Sequence, residues 1–112
     1  MACLDLEGRD CLVVGAGPVG ASKLQQLLAA GADVRVVAPD IVEDIEQAAA
    51  TCGVAIDRRE FTASDLDDVW LVVAAATPEV NRAVAAAAEP RRIFVNAVDD
   101  PANANAYLSG VI

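Results

Sequence analysis

The sequence predicts an α/β fold, a doubly wound parallel sheet with strand order 3-2-1-4-5. Three observations predict it. Short β-branched runs alternate with stretches of helical apolar spacing along the 112 residues. The run Val69-Trp70-Leu71-Val72-Val73-Ala74-Ala75 is continuously apolar, as a strand covered on both faces must be. Between the first apolar run and the first helical pattern stands Gly15-x-Gly17-x-x-Gly20, the order of parts of a dinucleotide-binding fingerprint. Right-handed crossovers between such strands then give a Rossmann-like, NAD-binding fold.

Taken in order, Asp5 to Asp10 is a polar lead-in with a turn at Gly8, and strand one runs from Cys11 to Val14. Gly15 permits the tight turn off that strand. Gly17 lacks a Cβ, so a pyrophosphate can approach the backbone, and Gly20 allows close helix packing. Pro18 suits an early helical position, where no N–H donor is needed. The first helix is expected from Pro18 to Ala30, with Val19, Leu24, Leu27 and Leu28 apolar and Gly31 as its stop. Val34 to Ala38 reads as strand two, ended by Pro39. Ile41 to Ala50 reads as a helix with acids early, where they favour its positive end. Val54 to Ile56, or as far as Arg58, is a weak third strand, and Ser64 or Asp65 caps one helical turn. After strand four, Val69 to Ala75, Thr77 caps a helix that starts at Pro78 and Glu79 and runs to Ala88. Ile93 to Val98 is strand five, followed by Asp99-Asp100-Pro101.

Composition narrows the function. An apolar fraction of 55% against 22% charged is that of a globular chain, expected as one domain over residues 1–112. Seventeen acids against eight bases leave a net charge of −9, a surface that repels nucleic acid and anionic membranes. No apolar run approaches the ~18 residues of a membrane span. The N-terminus carries Asp5 and Glu7 where a signal peptide carries bases. Three cysteines, no histidine and no C-x-x-C spacing give neither a metal site nor a disulfide frame, so a reducing cytoplasm is expected.

In a doubly wound sheet, ligands bind outside the carboxyl ends of the strands, near the switch between strands one and four. That rule selects Gly15, Gly17, Pro18, Val19 and Gly20; Ala38, Pro39 and Asp40; Ala75 and Thr77; and Asn96 to Asp100. The position after strand two, where NAD-binding sheets place an acid on the ribose, is Ala38. Asp40 either reaches the ribose hydroxyls from the loop or is an exposed loop aspartate. No arginine follows strand two immediately, so NAD is preferred to NADP. Asp99 ends strand five, where it is either a strand-ending turn residue or a general base. Asp100 beside it would hold its pKa up by like-charge repulsion. Arg91 and Arg92, before strand five, fall at the opposite edge and read as a solvated pair.

The chain resembles the NAD-dependent precorrin-2 dehydrogenases of sirohaem synthesis, including the N-terminal part of sirohaem synthase. The resemblance rests on Gly8-Arg9-Asp10-Cys11-Leu12-Val13-Val14-Gly15, Lys23 with Leu27-Leu28, Gly31-Ala32 and Val36-Val37-Ala38-Pro39. It continues through Ala74-Ala75-Ala76-Thr77, Val80-Asn81, Arg91-Arg92-Ile93-Phe94-Val95-Asn96 and Val98-Asp99. It implies oxidation of precorrin-2, a tetrapyrrole, to sirohydrochlorin with NAD as hydride acceptor, and it puts the family's essential aspartate on Asp99. In some members the same carboxylate also serves insertion of ferrous iron. Departures are Ser22-Lys23 in place of a basic pair, Gly20 in place of alanine, and Ala102 to Ser109 in place of an acid followed by aromatic and proline positions. Relatives continue past this point into a dimerisation region and a small helical domain. A homodimer is therefore expected of a longer parent, and this chain reads as a fragment or a reduced relative. The competing reading is a stand-alone NAD-binding regulatory module without catalysis, and a third is a degenerate Rossmann domain that binds nothing. Val95-Asn96 and Val98-Asp99 favour the enzyme; the early end favours the module.

Overall fold

The computed structural model describes residues 8–97. Five strands and three α-helices alternate along it. They are β1 (Asp10–Val14), α1 (Pro18–Ala29), β2 (Asp33–Val37), α2 (Glu43–Cys52) and β3 (Ala55–Asp57), then β4 (Leu71–Ala74), α3 (Pro78–Ala88) and β5 (Phe94–Ala97). A short 3-10 turn, Ala63–Leu66, interrupts the return from β3 to β4. All neighbouring strands pair in parallel, in the order β3-β2-β1-β4-β5. The expected topology is therefore the one observed.

Alternation along each strand divides the core between two faces. Cys11 and Val13 of β1 and Leu71 and Val73 of β4 pack with Leu24 and Leu27 of α1 and Ile45 of α2. Leu12 and Val14, with Val72 and Ala74, pack on the other face with Leu66, Val84 and Ala88. Leu12, Val13, Leu71, Val72 and Val73 are wholly buried, which is why β1 and β4 read as unbroken apolar runs.

The structure corrects four details. Val19 is 43% exposed; the buried stripe of α1 is Gly20, Ala21, Leu24 and Leu27, and Val19 lies a quarter-turn off it. The 3-10 turn is capped from Thr62 rather than Ser64 or Asp65. Asp65 is its third residue, and its carboxylate accepts from the Thr62 N–H at 2.8 Å. Val69 and Trp70 precede β4, and Val69 donates back to the Leu66 carbonyl (3.1 Å). Trp70 meets Phe94 edge-on at 5.0 Å and carries the Arg9 guanidinium over its ring at 4.9 Å. Arg91 is not merely solvated: it donates to Asp67 (3.3 Å) and to the Ala87 carbonyl (2.9 Å). No helix among the described residues is long and apolar enough to cross a membrane.

Candidate functional site

The carboxyl ends of β1, β2 and β4 come together around Gly15. Its N–H donates to the Val37 carbonyl (3.0 Å), and Ala75 donates to the Val14 carbonyl (2.8 Å). Gly15 has φ +103°, and a Cβ there would stand 2.5 Å from the Ala75 oxygen. Turn and strand end thus both demand glycine. A Cβ on Gly20 would lie 2.4 Å from the Gly15 oxygen, so the first turn of α1 is pressed onto the loop itself. Gly17 differs: a Cβ there meets nothing within 4 Å. The space beside its backbone is open.

That space faces an unadorned helix start. Gly17 is the N-cap of α1, no side chain caps the helix, and its first turn holds no acid. By contrast, α2 has Glu43, Asp44 and Glu46 in its first turn. In α3 the Thr77 hydroxyl accepts from the Val80 N–H (3.3 Å), with Glu79 nearby. Pro18 has no N–H, and Ala21 already donates to the Gly17 carbonyl (2.9 Å). The N–H groups of Val19 and Gly20 and the helix dipole are therefore directed at whatever occupies the space, and an anion fits it.

Behind Gly15 lies a slot of about 270 Å³. Ala38 and Pro39 line it from the end of β2, Val80 and Ala83 from α3, and Glu60 and Phe61 from the segment after β3. That segment is clasped. Arg59 binds the buried Asp65 through both nitrogens, one bond being 2.8 Å, and Arg35 of β2 donates to the Asp65 carbonyl (2.8 Å). The Arg59 guanidinium holds the Asp65 carboxyl below its ordinary range; burial opposes this, and the Thr62 N–H reinforces it. The other side of the crevice is held by Asn81, whose side-chain oxygen accepts from the Ala76 N–H (3.1 Å).

The structure therefore brings Gly15, Ala38 and Pro39 into one slot with Ala76, and gathers Gly17, Pro18, Val19 and Gly20 at the uncapped start of α1. Ala75 backs the Gly15 turn, and Thr77 is occupied as a cap. Asp40 is exposed and is not among the slot's lining residues. Asn96 is buried on β5 opposite Val73, and alternation with Val95 and Ala97 turns it to the α1 side of the sheet. Asp99 lies outside the described residues. Glu60, Phe61 and Ala83 are additions that the sequence does not single out, and Val80 enters the sequence reading only through the family resemblance. Val80 and Ala83 carry a signal in their i, i+3 spacing, whereas Glu60 and Phe61 sit in an irregular return segment with none.

A larger cavity of about 450 Å³ opens at the opposite, amino edge, lined by Asp10, Asp33, Asp67 and Asp68 with Arg35, Cys11 and Cys52. It is remote from the glycine loop. Burial, with Asp10 and Asp33 adding to it, pushes the Cys11 thiol up to about 11. Among the described residues no group of His, Cys, Asp and Glu could hold a metal ion.

A family model described as NAD(P)-binding matches residues 2–110. The chain belongs to the NAD(P)-binding family. This NAD(P)-binding chain is 43% identical over 108 residues to siroheme synthase 2 of Klebsiella pneumoniae, a match covering 96% of it and 24% of that relative. To the siroheme synthase of Photobacterium profundum it is 40% identical, covering 96% and 23% of the two chains. It thus spans about a quarter of the length of these curated relatives. Among solved structures, "SirC, precorrin-2 dehydrogenase" superposes with a TM-score of 0.71 at 28% identity, covering 88% of this chain and 49% of that one. A dipicolinate synthase chain from Bacillus halodurans superposes with a TM-score of 0.62 at 27% identity, covering 82% and 31%.

Proposed function

We propose that this chain is the NAD-binding domain of a precorrin-2 dehydrogenase, oxidising precorrin-2 to sirohydrochlorin in sirohaem synthesis. The observation that carries the cofactor is the uncapped, acid-free start of α1 facing the open side of Gly17, with an apolar slot next to it. The resemblance to siroheme synthases and to a precorrin-2 dehydrogenase supports the substrate. NAD rather than NADP follows from the absence of an arginine directly after β2, where Ala38, Pro39 and Asp40 stand.

Bound NAD supplies the hydride acceptor. The backbone of Gly17 to Gly20 holds the pyrophosphate, and the slot takes one end of the dinucleotide. Removal of hydride from precorrin-2 leaves a proton to be taken, and the sequence has no histidine. Asp99, two residues beyond the end of β5, accepts it as general base. The same reading makes the protein cytoplasmic, without nucleic-acid or membrane partners, and homodimeric in a longer parent.

The test is NADH formation from precorrin-2 and NAD, measured on this chain and on a longer parent. Asp99→Asn is expected to leave NAD affinity unchanged and to lower turnover by roughly 10²–10⁴-fold. Turnover that survives both Asp99→Asn and Asp100→Asn refutes the carboxylate mechanism. NAD binding with no turnover in either protein favours the regulatory module.

A further inference from the structure

The slot behind Gly15 is apolar apart from one charged residue in its wall, Glu60. Its volume of about 270 Å³ gives room for one planar bicyclic base but not for a whole dinucleotide. The cations nearest in sequence are committed elsewhere: Arg58 pairs with Glu46, and Arg59 with Asp65 and Asp57. Among the described residues, Glu60 takes part in no ion pair. Its backbone is nevertheless held, because Arg59 donates to the Glu60 carbonyl (3.1 Å) while gripping Asp65. Glu60, exposed in the slot's wall, is thus the one charged residue on an apolar slot that shares Gly15 with the glycine loop.

We propose that Glu60 reads the base of the cofactor, its carboxylate accepting an N–H of the exocyclic amino group of adenine. This rests on the dinucleotide reading above and adds a specificity-determining residue to it. With the pyrophosphate at Gly17, the slot lined by Gly15, Ala38 and Phe61 lies within reach of the adenosine half. An ionised carboxylate only accepts hydrogen bonds, so it matches the amino group of adenine. It repels the carbonyl oxygen that hypoxanthine presents at the same position. Deletion of a single charge-assisted hydrogen bond is expected to cost about tenfold or more in affinity.

The experiment measures the affinity of the full chain, wild type and Glu60→Gln, for NAD, NADP and nicotinamide hypoxanthine dinucleotide by calorimetry. Wild type should prefer NAD to the hypoxanthine analogue by about tenfold or more. Glu60→Gln, whose amide donates as well as accepts, should bring that ratio close to one at an unchanged melting temperature. An identical ratio in the two proteins overturns the proposal. So does a gain in NADP affinity at an unchanged ratio, which would put Glu60 at the ribose. Failure of the wild type to bind any of the three defeats the dinucleotide reading itself, a result distinct from both.

Discussion

A methyl group added at Gly17 would enter open space, whereas one added at Gly20 would sit 2.4 Å from the Gly15 oxygen. The two substitutions should therefore fail differently. Gly17→Val is expected to fold with a melting temperature near that of the wild type and to lose NAD affinity by about tenfold or more, since its branched side chain fills the phosphate space. Gly20→Ala is expected to unfold more easily by about 1–3 kcal/mol, the cost of forcing a close backbone contact apart. Calorimetry with NAD and thermal denaturation on both variants separate the effects; unchanged NAD affinity in Gly17→Val would exclude the cradle. The two cysteines among the described residues divide in a similar way. Cys11 is buried and its thiol is pushed up to about 11, whereas Cys52 is exposed. Alkylation of the native chain at mildly alkaline pH, read by mass spectrometry, should modify Cys52 and spare Cys11. Labelling of Cys11 at a comparable rate would show that the amino edge opens.

At the scale of elements, the informative piece is the irregular return from β3 to β4. Asp65 joins Arg59, the Thr62 N–H and, through its carbonyl, Arg35 of β2. This clasp holds Glu60 and Phe61 against the slot. Asp65→Asn is expected to cost about 1–2 kcal/mol at neutral pH, toward the low end for a buried charged bond because Arg59 is half exposed and screened. The pH sign follows from the lowered carboxyl. Its contribution is present above the unfolded value near pH 4 and is lost as pH falls through the lower, folded value. Acid denaturation of the wild type should show this loss and Asp65→Asn should not; parallel curves would mean that the clasp adds no stability. The same segment marks where the sequence stops being legible. Strands, helices and the glycine loop announce themselves through periodicity and through residues with a single conformational use. A loop that acquires its role only when β3, β2 and α3 converge has no local pattern, so Glu60 and Phe61 are hidden where Gly15 is plain. Val19 misleads for a related reason: it is apolar and near the stripe, but one residue's rotation puts it in solvent.

For the whole molecule the deciding quantity is the net charge of −9. The strand order is legible because parallel strands joined by helices admit few topologies, and none of that depends on charge. Stability does. Two opposed terms respond to salt. The ion pairs Arg58–Glu46, Arg59–Asp65 and Arg91–Asp67 weaken when screened, but Arg58, Glu46 and Asp67 are about half exposed or more, and such pairs contribute roughly 0–1 kcal/mol each. Repulsion among the surplus acids also weakens, and it acts between many more pairs. Asp10, Asp33, Asp67 and Asp68 line one cavity, and Glu43, Asp44 and Glu46 share one helical turn. Repulsion should win. Sodium chloride raised from a few millimolar to about 0.5 M, which shortens the screening length well below about 10 Å, is expected to raise the melting temperature by several degrees, equivalent to about 1 kcal/mol. Chloride is the right anion for the test, because sulfate would stabilise any protein through exclusion from its surface. A melting temperature that falls with sodium chloride would mean that the few pairs outweigh the acidic surplus. The clasp at Asp65 would then be the first place to look, since it is the buried one.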